Sequence, residues 1–169
     1  MSIWHNSKAE TLPIKETKSI FGEIDKMRDR IMQRAHEIFR TNGGIFGRDL
    51  DDWLQAEREL VWKPSIELDE KNNEFRLRVA VPGVDPKDID IEVTPEDILV
   101  KADLHHEHKE EKEEVYTCEF ASGNLFRSVH LPKKIDPDKV KAEFKNGIVS
   151  LKAPVAEAAR AREVQIEAA

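Results

Sequence analysis

The sequence predicts a mainly β protein, an antiparallel β-sandwich that is preceded by a helical region and followed by an extended tail. The hydrophobic period is helical in the first third of the chain and changes to two after Pro64. Short alternating strands separated by turn residues then fill residues 64–154, with no helical pattern among them. Such a series of strands is typical of a sandwich. We expect three regions: a helical region (1–61), a sandwich domain (62–154) and a tail (155–169).

Two amphipathic helices are expected in the first region. Between residues 14 and 40, apolar residues recur every three or four positions and form one stripe, which consists of Ile20, Ile24, Met27, Ile31, Ala35 and Ile38. The stretch "TNGGIFGRD" interrupts this pattern. A second helix is expected from about Asp49, a residue suited to an N-cap, with Trp53 and Leu54 among its apolar residues. Two such helices cannot close a core alone, so we expect their apolar stripe to pack against another surface.

The clearest local prediction is a hairpin around Asn146-Gly147. Both central positions of a type I′ turn need a positive φ, which Asn and Gly tolerate. This turn predicts three cross-strand pairs, all of them apolar: Phe144 with Val149, Ala142 with Leu151, and Val140 with Ala153. The turn and the hydrophobic pattern therefore agree on one register.

A turn followed by a strand occurs twice in the sandwich region. The segments "VDPKDIDIEV" (84–93) and "IDPDKVKAEF" (135–144) share an apolar residue, Asp-Pro, two polar positions and then an alternating strand. We interpret this as the same turn chemistry used twice, since one match is too little for a tandem repeat.

Composition excludes several classes of function. A net charge of −7 argues against binding to a phosphate backbone, so no nucleic-acid partner is expected. The first residues lack a secretory signal, no apolar run is long enough to span a membrane, and Cys118 is the lone cysteine. These features favour a reducing cytoplasm. The glycine-rich "NGGIFG" lacks the GK[ST] ending of a phosphate-binding loop, and no cofactor is predicted.

The stretch "HHEHKEEKEEVYTCEFASG" is a long charged loop with one strand-like segment, which contains Val115, Tyr116, Cys118 and Phe120. A loop of this length is usually functional or disordered. It is interpreted either as an arm that adds a strand to a neighbouring subunit or as a solvated hairpin on its own domain, and the residues alone favour neither. Its three histidines and Glu107 are suitable metal ligands, but they lack a second shell that would orient them.

Three motifs resemble the α-crystallin domain of small heat-shock proteins: "VAVPGVDPKDIDIEV", "GNLFRSVHLP" and "AEFKNGIVSL". The resemblance covers about residues 62–153 and the tail. It implies an immunoglobulin-like antiparallel sandwich of seven or eight strands, which dimerises by strand exchange through the charged loop. It also implies assembly into larger homo-oligomers that hold unfolding proteins without ATP. The segment "RAHEIFRTNGGIFGRDLDDWLQAEREL" (34–60) resembles a bacterial two-helix module of unknown function.

The resemblance also implies roles for particular residues. The tail would anchor in an edge groove of a neighbouring subunit through Val164 and Ile166. That groove would be formed by the strands after the two Asp-Pro turns, with lining from Ile89, Ile91, Val93, Val140, Ala142 and Phe144. The dimer interface would contain Arg127, Val115, Tyr116, Cys118 and Phe120. Candidates for binding unfolding clients are Ile20, Ile24, Met27, Ile31, Trp53 and Leu54.

We therefore expect a holdase chaperone and no enzyme activity. One alternative is a co-chaperone or scaffold module that uses the same sandwich to bind one folded partner. A second is a small metal-dependent enzyme built on the histidines of the charged loop. The tail also has a rival interpretation, because Ala, Glu and Arg around Val164 and Ile166 favour a helix when the segment is unbound.

Overall fold

The computed structural model describes residues 8–104 and 123–160 of the chain, and these form two α-helices and ten β-strands. The helices are α1 (Phe21–Thr41) and α2 (Asp49–Leu60). The strands are β1 (Glu10–Leu12), β2 (Lys15–Glu16), β3 (Val61–Trp62), β4 (Ile66–Lys71), β5 (Glu74–Ala80), β6 (Ile89–Val93), β7 (Asp97–Leu104), β8 (Gly123–His130), β9 (Lys141–Lys145) and β10 (Ile148–Pro154).

The strands form two five-stranded sheets, and the predicted sandwich is confirmed. The first sheet has the order β1-β9-β10-β5-β4 with antiparallel neighbours throughout. The second has the order β2-β6-β7-β8-β3, in which the short outer strands β2 and β3 run parallel to their neighbours. Alternate side chains point between the sheets, as Phe75, Leu77 and Val79 do on β5, and they build the main core.

The hairpin predicted at Asn146-Gly147 is confirmed. These two residues have φ values of 52° and 75°, which places both in the left-handed region. Phe144 lies opposite Val149 and Ala142 opposite Leu151. The third predicted pair is not part of the ladder, because β9 begins only at Lys141. A second turn with two positive φ values, at Asn72 and Asn73, joins β4 to β5, and the sequence analysis does not predict it.

Both Asp-Pro segments form one turn of 3₁₀ helix, Pro86–Asp88 and Pro137–Lys139. Proline favours the first helical position because its missing N–H needs no partner there. β6 follows the first turn directly, and β9 begins one residue after the second. The repeated sequence pattern is therefore repeated turn structure, as expected.

The helices pair with each other around a small core of their own, consisting of Ile31, Ile38 and Ala56. The second helix starts where predicted, although Arg48 is its N-cap and Asp49 its first helical residue. The first helix starts at Phe21. Residues 14–20 are therefore not helical, although the predicted range 14–40 includes them. The apolar residues Leu12 and Ile14 instead pack against the core of the sandwich.

Residues 10–17 form two short strands that lie at the same edge of the sandwich. β1 pairs with β9 in the first sheet, and β2 pairs with β6 in the second. The backbone N–H of Thr17 donates to the carbonyl of Val93 at 3.0 Å and extends the second pairing. This segment belongs spatially to the sandwich, although it lies within the first of the three regions that we expect from the sequence.

The end of α2 approaches the start of β8 closely. A Cβ added at Gly123 would lie 3.1 Å from the carbonyl oxygen of Leu60, and the φ of this glycine is +146°. β3, directly after the helix, pairs with β8. Glycine therefore permits the helical hairpin to join the second sheet at the point where the charged loop ends.

Candidate functional site: an edge groove and an apolar helical face

The two strands predicted to form the groove lie at the same edge of the sandwich. β6 belongs to one sheet and β9 to the other, and a single short segment, residues 10–16, pairs with both. Only Pro13 and Ile14 separate the part of the segment that pairs with β9 from the part that pairs with β6. The structure thus brings these two strands together at one edge of the sandwich.

The turns that precede both strands are fixed by short polar contacts. The Asp85 carboxylate accepts a hydrogen bond from the backbone N–H of Lys87 at 3.1 Å, and this bond lowers the pKa of Asp85. The Asp136 carboxylate lies 2.9 Å from the Lys139 ammonium, which lowers the pKa of Asp136 and raises that of Lys139. Both aspartates are therefore charged near neutral pH and hold the turns in place.

The predicted lining residues are all apolar contributors to the main core. Five of them are buried, namely Ile89, Ile91, Val93, Val140 and Ala142, while Phe144 is partly buried and packs against the same core. The edge of both strands is covered by the chain's own residues 10–16. Val164 and Ile166 lie outside the described residues, so their docking in this groove stays a prediction.

The segment that covers the groove is anchored by alternate apolar side chains. Leu12 is only 4% exposed, and Ile14 is partly buried against the core. Pro13, between them, is exposed. One residue separates these two apolar side chains, as in the predicted tail motif.

Arg127 lies on β8 directly opposite Val100 of β7. Its Nε is buried and has no hydrogen-bond partner in the part of the chain that the structure describes. A buried donor without a partner is costly, so this atom favours an additional acceptor. The other four residues predicted at the dimer interface, Val115, Tyr116, Cys118 and Phe120, lie outside the described residues. The interface stays a prediction.

The structure places few of the predicted client-binding residues on the surface. Ile20 and Ile31 are buried, with 3% and 6% of their surface exposed, and neither is free to meet a client in this conformation. Ile24, Met27 and Trp53 are partly buried, and Leu54 alone is exposed. Ile31 is buried because an amphipathic stripe marks the face that packs, which here is the face toward α2. The role of these residues in binding clients stays a prediction.

The largest exposed apolar side chains of the helical hairpin lie elsewhere, and the sequence analysis misses most of them. They are Phe21, Met32, Ile45, Phe46, Leu50 and Leu54. Phe46 is 88% exposed, and its ring contacts that of Phe39 edge-on at a centroid distance of 5.7 Å. The sequence does indicate the exposure of Ile45 and Phe46, because "NGGIFG" places these two large apolar residues in a glycine-rich turn, where burial is uncommon. We call Ile45, Phe46, Leu50 and Leu54 the apolar tip of the hairpin.

A charged cluster ties the start of α1 to the second sheet. The Lys101 ammonium lies 2.7 Å from Glu92, 2.9 Å from Glu23 and 3.2 Å from Asp90. Burial opposes the charge of Lys101, but the hydrogen bonds to these three carboxylates outweigh it and raise the lysine pKa. Hydrogen bonds from Lys26 and Lys101 lower the pKa of Glu23 to about 2. Lys101 and Glu23 are thus both charged at neutral pH.

The histidines of the charged loop lie outside the described residues, so the hypothesis of a metal-dependent enzyme is untested there. Within residues 8–104 and 123–160, no group of three His, Cys, Asp or Glu side chains is arranged to hold a metal ion. Neither described helix combines the length and the apolar character needed to cross a membrane.

Comparison with known proteins supports the motifs found in the sequence. The chain is 31% identical over 103 residues to spore protein SP21 of Stigmatella aurantiaca, a match that covers 61% of each chain and thus less than two thirds of that relative. It is 28% identical over 112 residues to small heat shock protein C2 of Rickettsia felis, covering 66% of this chain and 71% of the relative.

The fold is also found among solved structures. Heat shock protein 16.0 from Schizosaccharomyces pombe superposes with a TM-score of 0.54 at 24% identity, covering 64% of this chain and 99% of that one. At this identity the likeness shows the fold, an α-crystallin-type sandwich.

Two family models match the chain. Residues 27–61 match a protein family of unknown function, DUF2934, which fits the predicted two-helix module. Residues 67–167 match the Hsp20/alpha crystallin family, a range that includes most of the sandwich and the predicted tail motif. The predicted resemblance to small heat-shock proteins is confirmed, and the chain belongs to the Hsp20/alpha crystallin family.

Proposed function

We propose that this protein is an ATP-independent holdase chaperone that binds unfolding proteins in a reducing cytoplasm and prevents their aggregation. The observation that carries the proposal is the apolar tip, where the helical hairpin beside the sandwich of a family member exposes large apolar side chains to solvent. Exposed apolar patches on soluble proteins commonly mark interaction sites. The occupant of such a surface is an unfolding chain, because its own apolar side chains are exposed and need no defined shape.

Assembly supplies the strength that a small patch lacks. Subunits dimerise by strand exchange through the charged loop, and dimers join through a tail that docks in a neighbour's edge groove. The unpartnered Nε of Arg127 at the second sheet supports an interface there, because an acidic side chain from a second subunit would satisfy it. Many weak apolar sites in one assembly give high avidity and still allow each contact to exchange.

The chaperone proposal is tested by an aggregation-suppression assay without ATP, using a thermally unfolding client. Wild type is expected to suppress light scattering at a stoichiometric ratio, since no turnover is involved. The double variant Phe46→Ser/Leu50→Ser removes two exposed apolar side chains and is expected to lose at least half of this protection. Ile148→Ser removes an exposed apolar side chain from β10 of the sandwich and serves as the matched control.

Sedimentation of the same proteins tests the assembly. Wild type is expected to sediment as oligomers larger than a dimer, and Val164→Ala/Ile166→Ala is expected to shift them toward dimers. A wild-type protein that suppresses no aggregation contradicts the holdase proposal. An unchanged oligomer in the tail variant contradicts the role of the tail and leaves the holdase proposal in place. A wild type that remains a dimer supports instead the alternative of a scaffold that binds one folded partner.

A further inference from the structure

The edge groove predicted to receive a neighbour's tail is already filled by residues 10–16 of the same chain, which we call the plug. β1 of the plug forms three registered pairs with β9, from Glu10 opposite Phe144 to Leu12 opposite Ala142. β2 forms two with β6, Lys15 opposite Glu92 and Glu16 opposite Val93. The backbone edge of each groove strand is thus used within one subunit.

The plug and the tail motif share the pattern that such a groove selects. In the plug, Leu12 and Ile14 flank Pro13, and in the tail Val164 and Ile166 flank Gln165. In an extended chain, residues two positions apart project on the same side. The plug has this arrangement in the structure, with both apolar residues against the core and the proline exposed.

The two segments cannot occupy the groove together, because each backbone edge of a strand accepts one partner. The plug makes a small contact, with two apolar anchors and two very short strands. It nevertheless acts at the high effective concentration of an attached segment, which lies in the millimolar range for a short linker. A tail from another subunit must therefore compete with a segment that is weak but always present.

We propose that the plug is an internal competitor for the tail, so that the groove accepts a neighbour's tail only in the fraction of subunits whose plug has left. This inference rests on the proposed docking of the tail in a neighbour's edge groove, and it adds a way in which that docking is regulated. The measured affinity of the tail is then reduced in proportion to the fraction of open grooves. Conditions that loosen residues 10–16 promote assembly, and conditions that fix them favour small species.

The contacts of the plug connect it to the helical hairpin. Lys15 pairs with Glu92 along the backbone, and the Glu92 carboxylate accepts a hydrogen bond from Lys101 at 2.7 Å. Lys101 also donates to Glu23 in the first turn of α1. Release of the plug therefore removes the neighbouring strand of β6 beside this charged cluster.

A fluorescent peptide with the sequence of residues 160–169 measures the accessibility of the groove directly. All proteins carry Val164→Ser/Ile166→Ser, so that no subunit supplies a competing tail. The affinity is measured by fluorescence anisotropy. Leu12→Ser/Ile14→Ser is expected to bind the peptide about tenfold more tightly than the background protein, which corresponds to a background in which about one groove in ten is open. Phe21→Ser/Met32→Ser, which changes two exposed apolar residues outside both the plug and the apolar tip, is expected to leave the affinity unchanged.

Two outcomes of this titration overturn the proposal in distinguishable ways. Equal binding to the plug variant and to the background protein shows that the groove is open without release of the plug, and it leaves tail docking intact. Binding to neither protein overturns tail docking itself and the competition with it. Circular dichroism of each variant shows that the sandwich is folded before the titration is interpreted.

A reversible lock tests the same proposal without removing any apolar side chain. Thr11 lies opposite Glu143, and residues directly opposite in an antiparallel pair have Cα separations within the range of a disulfide. Thr11→Cys/Glu143→Cys, in a Cys118→Ser background, is expected to lose peptide binding on oxidation and to regain it on reduction. Glu67→Cys/Arg78→Cys locks the distant β4–β5 pair and is the matched control, with binding unchanged. If the oxidised Thr11→Cys/Glu143→Cys protein still binds the peptide, the proposal is overturned.

Discussion

The β-sandwich buries its large apolar side chains almost completely, whereas the helical hairpin leaves several of its largest ones in solvent. Leu77, Ile91 and Leu151 in the sandwich are at most 1% exposed. The hairpin has a core of only three buried residues, and Phe46 and Leu50 are 88% and 69% exposed. The two regions therefore differ in how they expose apolar side chains. One holds a fixed shape, and the other presents the apolar surface that a rigid core cannot offer.

Truncation of a core residue in each region gives the largest expected effects. Leu77→Ala is expected to destabilise the protein by about 3 kcal/mol, because it leaves a cavity between two well-packed sheets. Ile38→Ala is expected to cost about 2 kcal/mol in the hairpin alone. Urea unfolding, monitored by hydrogen exchange of peptides from each region, separates destabilisation of the sandwich from destabilisation of the hairpin. Loss of protection throughout the sandwich in Ile38→Ala would show that the two regions are one cooperative unit.

A smaller effect is expected at the turn that sets the register of β9 and β10. Gly147 has a φ of +75°, and its added Cβ would lie 3.4 Å from the Cα of Pro82, so strain comes mainly from the backbone conformation. Gly147→Ala is expected to cost about 1–2 kcal/mol in urea unfolding. Gly22→Ala, in the helical hairpin, is the matched control with nothing within 4 Å of the new Cβ. It is expected to stabilise by about 0.5 kcal/mol, and a loss of stability there would contradict this argument.

The smallest effect concerns the charged cluster that joins the two regions. The pKa of Glu23 is lowered from 4.5 to about 2, so its contribution to stability is complete above pH 4.5 and is lost as the pH falls toward 2. Glu23→Gln is expected to cost about 1 kcal/mol at pH 6, since the side chain is partly solvated and screened. The difference from wild type is expected to vanish near pH 2. The measurement is the urea midpoint as a function of pH.

Asp25→Asn changes an exposed carboxylate two residues after Glu23 on α1 and controls for general charge effects. Its difference from wild type is expected to be small at every pH. A pH dependence in Asp25→Asn as large as that in Glu23→Gln would show that net charge, and not the contact with Lys101, governs the attachment of α1.

The sequence predicts those parts of the fold whose signals are local. Asn146 and Gly147 determine a turn, the turn determines a register, and the pairing of Ala142 with Leu151 follows. The start of α2 near Asp49 follows equally from residues close in the chain. Such features need no knowledge of what lies elsewhere in the molecule.

The plug could not be predicted in this way, because its strands are too short to show a period and their partners are distant in sequence. Leu12 pairs with Ala142, and Lys15 with Glu92. The range predicted for the first helix, 14–40, begins six residues before Ile20, the first residue of its apolar stripe, and therefore extends the helix too far. For the candidate site, the two groove strands follow from the family resemblance together with their Asp-Pro turns, whereas the segment that covers them is found only in three dimensions.

The position of the plug in the chain has a consequence for synthesis on the ribosome. Its anchor Leu12 emerges early, but its partner β9 begins only at Lys141. At translation rates of about 5–20 residues per second, the interval between them is on the order of 6–26 seconds. Closing of this edge is therefore among the last events in folding of the newly made chain. Until β9 has been made, β1 of the plug has no partner strand and the groove is incomplete.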